Sequence, residues 1–383
     1  MKKTVSIVLI CLIIMAGVPK NYAWAEKSLE LELESKSVVL LEASSGEVLY
    51  EKNTTERRIP ASVTKLMTLL LLFEAVDKGE ASLSDTVTAS AYAASMGGTQ
   101  IFLAQGEKMS LKELAIALAV GSANDAAVAI SEYLAGSEEA FVRKMNDKAQ
   151  ELGMNDTHFA NPNGLPAEEH YTTAADLGVL ARTIVNDYPE ILEYTSLKNY
   201  TLRENTKPFV LNNKNKLLWW YEGADGLKTG WIGADSGYNV AATAARNGMR
   251  LIVIALGAEK TYGNFRDSIK LFDYGFNNYR YERLYHKNEP LANCSIEKGK
   301  LLSVNAVSPI EIGLVLAQNQ TDFSSEIVFH DLCAPIETGE EIGEIEVYIN
   351  GEINQKYPLY AAENVEKYGF FQALTRAFYY LLT

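Results

Sequence analysis

Three short motifs with potentially catalytic side chains occur in order along the chain: Ser62-Val63-Thr64-Lys65, Ser122-Ala123-Asn124 and Lys228-Thr229-Gly230. A serine hydroxyl is a weak nucleophile unless a base lies beside it. Residues three apart share one face of a helix, so Lys65 could reach the Ser62 oxygen. A lysine is a base only when neutral, and both burial and a second cation, here Lys228, favour the neutral form. The pattern predicts nucleophilic catalysis by Ser62 with Lys65 as its base.

Neither S-x-x-K nor S-x-N is specific on its own. Ser295-Ile296-Glu297-Lys298 and Ser303-Val304-Asn305 match the two patterns again, with no K-T-G after them. Ser62 differs because it opens an apolar stretch at 66–73, which predicts a buried helix whose first N–H groups could bind an oxyanion. The prediction therefore rests on the ordered set of three motifs.

The segments around the motifs alternate between strand and helix patterns. Apolar runs on both sides of a Ser-Ser-Gly turn predict one hairpin at 37–50, and Asn247-Gly248 between apolar runs predicts another at 238–256. Helical patterns cover 111–134, with a break near the middle, and 172–185. Together these elements predict an antiparallel sheet combined with a cluster of helices.

The chain changes character after residue 277. Short apolar runs and an Asn350-Gly351 turn predict a small all-β domain at 280–361. Two cysteines, Cys294 and Cys333, lie in this part of the chain. They could pair in an oxidising compartment, or they could be two buried thiols.

The amino-terminal end has the features of an export signal. Lys2 and Lys3 precede an apolar run at 5–18 and then Ala23-Trp24-Ala25, which predicts a signal peptide at 1–25; an uncleaved anchor is the alternative. Cleavage would remove three lysines and no acids, so the net charge would change from −14 to −17. Nucleic acid is not an expected partner, because phosphate neutralisation requires clustered Lys and Arg.

The carboxyl-terminal end is unusually aromatic. On a helix Phe370, Leu374 and Phe378 would share one side, with Gln372 and Arg376 on the other. The segment is too short to span a bilayer, so we predict an amphipathic membrane-anchor helix at 362–383 that lies at the membrane surface. The alternative is a last helix that packs on the body of the protein.

The three motifs resemble those of the low-molecular-weight penicillin-binding proteins that are D-alanyl-D-alanine carboxypeptidases, within the β-lactamase-like superfamily. The resemblance extends over nearly the whole chain. It implies an α+β fold, with a β-lactamase/transpeptidase-like domain at 26–277, formed by a helical cluster on an antiparallel sheet, and then the small all-β domain. It includes the stretches Pro60-Ala61-Ser62-Val63-Thr64-Lys65-Leu66-Met67-Thr68, Gly121-Ser122-Ala123-Asn124-Asp125-Ala126, Asn161-Pro162-Asn163-Gly164-Leu165, Tyr171-Thr172-Thr173-Ala174-Ala175-Asp176-Leu177 and Asp225-Gly226-Leu227-Lys228-Thr229-Gly230.

The resemblance also implies catalytic roles. Ser62 would attack the terminal D-Ala–D-Ala carbonyl of a peptidoglycan peptide stem, while Lys65 takes the serine proton. Ser122 and Lys228 would relay a proton to the leaving amine. Water would hydrolyse the acyl-enzyme, and β-lactams would acylate Ser62 as covalent inhibitors. No cofactor and no metal are implied, and the expected location is the outer face of the cytoplasmic membrane, in a periplasm or at the cell surface.

The substrate would be held by a second group of residues. Asn124 would orient Lys65 and the substrate amide, Thr229 would contact the terminal carboxylate, and the N–H groups of Ser62 and Trp231 would form the oxyanion hole. Relatives often have an arginine where this chain has Asn264, with Arg266 two residues later. The implied substrate-binding residues are Asn124, Lys228, Thr229, Gly230 and Trp231.

Three other functions are less consistent with the sequence. A class A β-lactamase needs a Glu-x-x-Leu-Asn segment between the second and third motifs, and this chain has none; Glu168 and Glu169 lie in a polar loop. A catalytically silent wall-binding protein would not need intact motifs. A zinc carboxypeptidase needs ligand-spaced histidines, and His158, His170, His286 and His330 are far apart.

Overall fold

A computed structural model describes residues 31–375 of the 383-residue chain. The predicted signal peptide at 1–25 lies outside the described residues, and so do the last eight positions of the predicted terminal helix. Within the described residues, the chain forms a mixed α/β part followed by an all-β part. This arrangement confirms the predicted α+β fold class.

A five-stranded antiparallel sheet organises the first part. Its strand order is β2-β1-β9-β8-β7, so β7 lies at one edge. Two short strand pairs, β3-β4 and β5-β6, accompany it. The strands of this part are β1 (Ser37–Glu42), β2 (Val48–Lys52), β3 (Thr86–Thr88), β4 (Lys108–Ser110), β5 (Asn199–Leu202), β6 (Phe209–Asn212), β7 (Ala224–Gly230), β8 (Tyr238–Arg246) and β9 (Met249–Ala258).

Helices cover both faces of this sheet. The helices are α1 (Lys65–Asp77), α2 (Ala91–Ala94), α3 (Leu111–Ile116), α4 (Asn124–Ala135), α5 (Glu138–Glu151), α6 (Ala174–Asp187), α7 (Ile191–Thr195), α8 (Leu217–Trp220) and α9 (Gly263–Asn278). Nearly every residue of β9 is buried, as expected for a strand covered on two sides. Ile252 and Ile254 belong to the core that the helices share, whereas Leu251 contacts Gly275 of α9.

Helix α1 lies in the middle of the helical core. Leu66, Met67, Leu69, Leu70 and Leu72 are all buried, on every side of the helix. Such a helix has no polar face for water, so it must be surrounded by other elements. The predicted buried helix after Ser62 is confirmed, although the residues at 61–64 form a 3₁₀ turn before the α-helix begins.

The second part contains two antiparallel sheets, β10-β13 and β11-β12-β16-β15-β14. Alternate residues such as Ile345, Val347 and Leu359 form its own core. Asn350 and Gly351 both have positive φ and connect β15 to β16, as the sequence predicts. The strands are β10 (Tyr279–Tyr285), β11 (Ala292–Ser295), β12 (Ser303–Val307), β13 (Ile312–Ala317), β14 (Phe323–Phe329), β15 (Glu341–Ile349) and β16 (Glu352–Ala361).

The carboxyl-terminal segment begins differently from the prediction. Residues 362–369 are not helical, because Val365 is buried and pairs with Ile336. Helix begins only at Phe370 and continues to the last described residue, 375. The predicted helix boundary at 362 is therefore wrong: the apolar Val365 belongs to the β-domain core. Over residues 31–375, no helix has the length and apolarity needed to cross a membrane.

The two cysteines of the β domain do not pair. Cys294 is buried, Cys333 is exposed, and both are free thiols. Neither alternative from the sequence is correct in full, since one of the two thiols is exposed to solvent.

Candidate active site

A cleft of about 650 Å³ lies beside the edge strand β7. It brings together side chains from segments that are far apart in the sequence. Lys65 and Lys228 are buried next to this cleft, with 0% and 3% of their surface exposed. The sequence-predicted residues that line the cleft are Ser62, Ser122, Asn124, Thr229, Gly230 and Trp231.

Ser62 lies in the 3₁₀ turn that precedes α1, and close backbone packing holds this turn. A Cβ atom on Gly230 would lie 2.7 Å from the Pro60 carbonyl oxygen, and one on Gly164 would lie 2.0 Å from that of Ala61. Both positions therefore need glycine. The Asn239 side chain also donates to the Ile59 carbonyl at 2.9 Å. The nucleophile is thereby anchored between the sheet edge and a loop.

Lys65 Nζ is surrounded by three oxygens. It lies 3.0 Å from Ser62 Oγ and 2.8 Å from Asn124 Oδ1, and it is in very close contact with the Asn163 carbonyl oxygen. Burial, followed by the charges of Lys228 and Lys214, holds the pKa of Lys65 well below its ordinary value of 10.5. This shift is in the direction of the neutral amine, the form that can act as a base.

The partners of Lys65 also orient its lone pair. A neutral lysine amine has two N–H groups and one lone pair. The Asn163 carbonyl can only accept, and Asn124 Oδ1 is the accepting end of its amide because Nδ2 donates to the Gly97 carbonyl at 2.7 Å. With both N–H groups bound to these acceptors, the lone pair faces the Ser62 hydroxyl. This is the geometry that a base needs in order to remove the serine proton.

Ser122 reaches the cleft through an irregular backbone. Helix α3 continues into a π-helical turn at Ala117–Gly121, and Ser122 follows with a left-handed φ of 60°. This irregularity ends the helix at the cleft, where α4 then begins at Asn124. π-turns and left-handed non-glycine residues recur at functional sites. The break predicted near the middle of 111–134 is confirmed, and its position delivers Ser122 and Asn124 to one site.

Two further lysines give the cleft a positive field. Lys228 Nζ donates to the Thr229 carbonyl at 3.1 Å, and burial, followed by the charge of Lys214, lowers the pKa of Lys228 to about 7. Lys214 lines the cleft, where its Nζ contacts Thr99 Oγ1 at 3.2 Å; partial desolvation lowers its pKa too. The chain as a whole is acidic, with a net charge of −14, whereas the cleft has these lysines close together. Their positive field favours an anionic ligand.

Asn163 and Lys214 were missed as functional residues. Asn163 acts through its main-chain carbonyl, which residue type does not reveal, although the turn-forming Asn161-Pro162-Asn163-Gly164 indicates an ordered loop. Asn161 Oδ1 accepts from the Gly164 N–H at 2.7 Å and stiffens this loop. Lys214 has no motif around it, so nothing in the sequence distinguishes it from a surface lysine.

The cleft also contains Asn264, at the position where the family resemblance predicts an arginine. Asn264 Nδ2 donates to the Asn239 carbonyl at 3.1 Å, and its Oδ1 has no hydrogen-bond partner in the described structure. Arg266 does not line the cleft, because its guanidinium pairs with Glu34 at 3.0 Å. Trp231 forms part of the rim; it is about half exposed and stacks on Tyr238 at 5.9 Å.

The second S-x-x-K sequence is structurally unrelated to the cleft. Ser295 belongs to β11 of the all-β part and pairs with Ser303 of β12. Neither residue opens a helix or approaches the three motifs. As for metal ligands, residues 31–375 contain no group of three or more His, Cys, Asp or Glu side chains in a metal-binding arrangement.

An α+β fold with a serine hydroxyl beside a buried lysine amine is the arrangement expected of acyl-transferring serine peptidases. Residues 23–260 match the D-alanyl-D-alanine carboxypeptidase family model, and residues 279–367 match the model of the penicillin-binding protein 5 C-terminal domain. The chain belongs to the D-alanyl-D-alanine carboxypeptidase family of serine peptidases.

Individual relatives agree with this assignment. The chain is 40% identical to D-alanyl-D-alanine carboxypeptidase DacF of Bacillus subtilis over 98% of both chains. It is 32% identical to DacC of Escherichia coli over 91% of this chain and 88% of the relative.

Solved structures show the same fold. Penicillin-binding protein 5 from Haemophilus influenzae superimposes with a TM-score of 0.77 and 27% identity, over 88% of this chain and 99% of the other. Penicillin-binding protein D2 from Listeria monocytogenes in its ampicillin-bound form has a TM-score of 0.59 and 33% identity, over 64% of this chain and 99% of the other.

Proposed function

We propose that the chain removes the terminal D-alanine from peptidoglycan pentapeptide stems through an acyl-enzyme on Ser62. The observation that carries this proposal is the buried Lys65 Nζ, 3.0 Å from Ser62 Oγ, with Asn124 and Asn163 oxygens on its other sides. The lowered pKa of Lys65 and its contacts with Asn124 and Asn163 support its proposed role as the base that takes the Ser62 proton.

Acylation begins with proton transfer from Ser62 to Lys65. The freed Oγ attacks the carbonyl carbon of the penultimate D-alanine, and the resulting oxyanion is bound by the N–H groups of Ser62 and Trp231. Ser122 and Lys228 relay the proton from Lys65 to the amine of the terminal D-alanine as the C–N bond breaks, and this leaves Lys65 neutral again. D-alanine leaves, and an ester joins the remaining stem to Ser62.

In deacylation, water takes the place of Ser62 as the nucleophile and Lys65 again accepts the proton. Lys65 takes a proton from water, the resulting hydroxide attacks the ester carbonyl, and the Ser62 oxygen regains its proton as the ester C–O bond breaks. The product is a tetrapeptide stem with a free carboxylate.

The cationic cleft provides the means to hold the substrate's terminal carboxylate. Thr229 lines the cleft next to Lys228, and Lys214 lies on the same cleft wall. We propose that Thr229 donates to the carboxylate in the field of these two lysines. Gly230 lines the cleft beside Thr229, and Asn124 binds the substrate amide.

The same serine would be acylated by β-lactams, whose strained amide resembles the scissile bond. A β-lactamase then needs a carboxylate to activate the deacylating water. None of the cleft-lining residues in the described part of the chain is Asp or Glu. This favours a long-lived penicilloyl-enzyme over β-lactamase activity, and the intact set of motif residues argues against a silent wall-binding protein.

We also propose that the protein is exported and that its carboxyl-terminal end contacts the outer face of the cytoplasmic membrane. The predicted signal peptide supports export. Phe370, Phe371 and Leu374 are exposed at the start of the terminal helix, and apolar side chains in this position suit a membrane interface.

The test is covalent labelling with fluorescent penicillin together with D-alanine release from a pentapeptide. Wild type should give both signals, and Ser62→Ala should give neither. Ser295→Ala, which alters the other S-x-x-K sequence, is the matched control and should behave as wild type. A folded wild-type protein with neither signal would refute the proposed function.

A further inference from the structure

His170 is a buried histidine that the reaction described above does not use. Only 5% of its surface is exposed, and its ring packs edge-on against Phe159 at 6.0 Å. Both ring nitrogens have one partner each. Nε2 lies 2.8 Å from Thr64 Oγ1, and Nδ1 lies 2.9 Å from the backbone nitrogen of Ala160.

The tautomer of His170 follows from these two contacts. A backbone N–H can only donate, so Nδ1 must accept from Ala160 and carries no proton. Burial, followed by repulsion from His158 and Lys65, lowers the pKa of His170 to about 4, so the ring is neutral. The single ring proton is therefore on Nε2, which donates to the Thr64 hydroxyl.

The two segments joined by His170 are those that hold the reacting pair. Thr64 lies between Ser62 and Lys65 in the sequence, and its own surface is fully buried. Ala160 begins the short loop whose Asn163 carbonyl accepts from Lys65 Nζ. Because Asn161 stiffens this loop, its position is set as a unit. His170 thus connects the serine–lysine turn to the carbonyl that orients the lysine.

We propose that His170, through Thr64 and Ala160, is a positioning residue that keeps the Asn163 carbonyl against Lys65 and so keeps the lysine lone pair on Ser62. This inference rests on the proposed acylation of Ser62. Without the connection the loop could move away, water could reach Lys65, and the amine could turn from the serine. Loss of the connection would therefore lower the rate of Ser62 acylation and not only the stability of the fold.

Protonation would undo the connection. A second proton on Nδ1 would place two donors, Nδ1–H and the Ala160 N–H, against each other. The titratable groups facing His170 are His158 and Lys65, both of which oppose that proton. At neutral pH His170 therefore has no proton on Nδ1, and both of its hydrogen bonds can form.

Four substitutions separate the two hydrogen bonds. Thr64→Val removes the hydroxyl and keeps the shape, while Thr64→Ser keeps the hydroxyl. His170→Asn retains an acceptor in the Nδ1 position, and His170→Gln retains a donor in the Nε2 position. His330→Gln changes an exposed histidine of the all-β part and serves as the control.

The experiment measures the acylation rate with fluorescent penicillin as a function of pH, together with Tm for each variant. We expect Thr64→Val and both His170 variants to be acylated at least tenfold more slowly than wild type at neutral pH. The acid limb of their pH profile, where the acylation rate falls as the pH is lowered, should move to higher pH. The reason is that hydration of Lys65 raises the pKa of its amine. Thr64→Ser and His330→Gln should retain the wild-type rate and profile.

A wild-type rate and an unmoved acid limb in folded Thr64→Val and His170→Asn would overturn the inference, even if Tm fell. That result differs from failure of the proposed function, in which wild type itself would not be labelled and the inference would fall with it. Thr64→Val keeps the volume of the buried side chain, so it tests the hydrogen bond even if the His170 variants do not fold.

Discussion

Asn124 Oδ1 lies 2.8 Å from Lys65 Nζ although the two residues are 59 positions apart in the sequence. The amide is neutral, so it binds the lysine without favouring its charged form. A carboxylate of the same shape would do the opposite, since an opposite charge within about 4 Å raises the pKa of a lysine. In the proposed mechanism, the neutrality of Asn124 therefore helps Lys65 to act as a base.

Asn124→Asp tests this relationship. We expect the new charge to raise the pKa of Lys65, to slow penicillin acylation at neutral pH at least 100-fold, and to move the acid limb of the pH profile upward. Asn155→Asp adds the same charge at an exposed position and should leave the rate unchanged. Equal rates for Asn124→Asp and wild type at pH 7 would show that Lys65 does not need to be neutral.

Lys214 is expected to act through its charge. It lowers the pKa of both Lys65 and Lys228, after the larger effect of burial, and it lines the cleft. Lys214→Met should raise both pKa values, move the pH optimum upward and raise KM for an anionic pentapeptide. The measurement is the pH dependence of D-alanine release. Arg266→Gln removes a cation that pairs with Glu34 outside the cleft, so it should change neither quantity.

Lys228 should make the folded protein less stable at low pH. Burial and Lys214 lower its pKa to about 7, whereas the ordinary value is 10.5. Below pH 7 Lys228 carries its proton in both the folded and the unfolded chain. The folded chain then bears the full free-energy cost of burying a charged ammonium group. Between pH 7 and 10.5 only the unfolded chain holds the proton, so the contribution of this group to stability rises with pH.

Lys228→Met should therefore abolish activity and yet stabilise the fold at pH 6, by on the order of 1–3 kcal/mol. The gain should shrink toward pH 10, where the wild-type lysine is neutral in the folded state. Denaturant unfolding at several pH values measures it. Lys112→Met, at an exposed position, should show no pH-dependent gain. A variant that is destabilised equally at pH 6 and pH 10 would contradict this account.

Gly230 allows β7 to approach the nucleophile turn. An alanine there would bring its Cβ to 2.7 Å from the Pro60 oxygen and 3.1 Å from the Ser62 nitrogen. Gly230→Ala should displace the strand, lower Tm by several degrees and reduce penicillin acylation at least tenfold. Gly369→Ala places its Cβ in open space and is the control. Full activity in Gly230→Ala would mean that the turn can shift without loss of the oxyanion site.

The sequence alone identified Ser62 and Lys65 as a candidate nucleophile and base, because helical spacing brings the two side chains together. Its resemblance to a known family added Ser122, Asn124 and the K-T-G residues. The sequence also indicated the hairpins and the buried helix, since apolar periodicity is a local property. Only the tertiary structure revealed the Asn163 carbonyl, Lys214 and the His170 connection. A main-chain oxygen has no residue-type signal, and the effect of a charge or a buried ring depends on which distant segments pack around it.

In the terminal segment, the local sequence pattern predicts a helix start that differs from the one in the folded chain. Its aromatic residues predict an amphipathic helix from 362, but Val365 is used by the β-domain core, and the helix begins at Phe370. Local pattern identifies which residues are apolar. The choice between a β core and a helix face at Val365 depends on Ile336, which is adjacent only after the chain has folded.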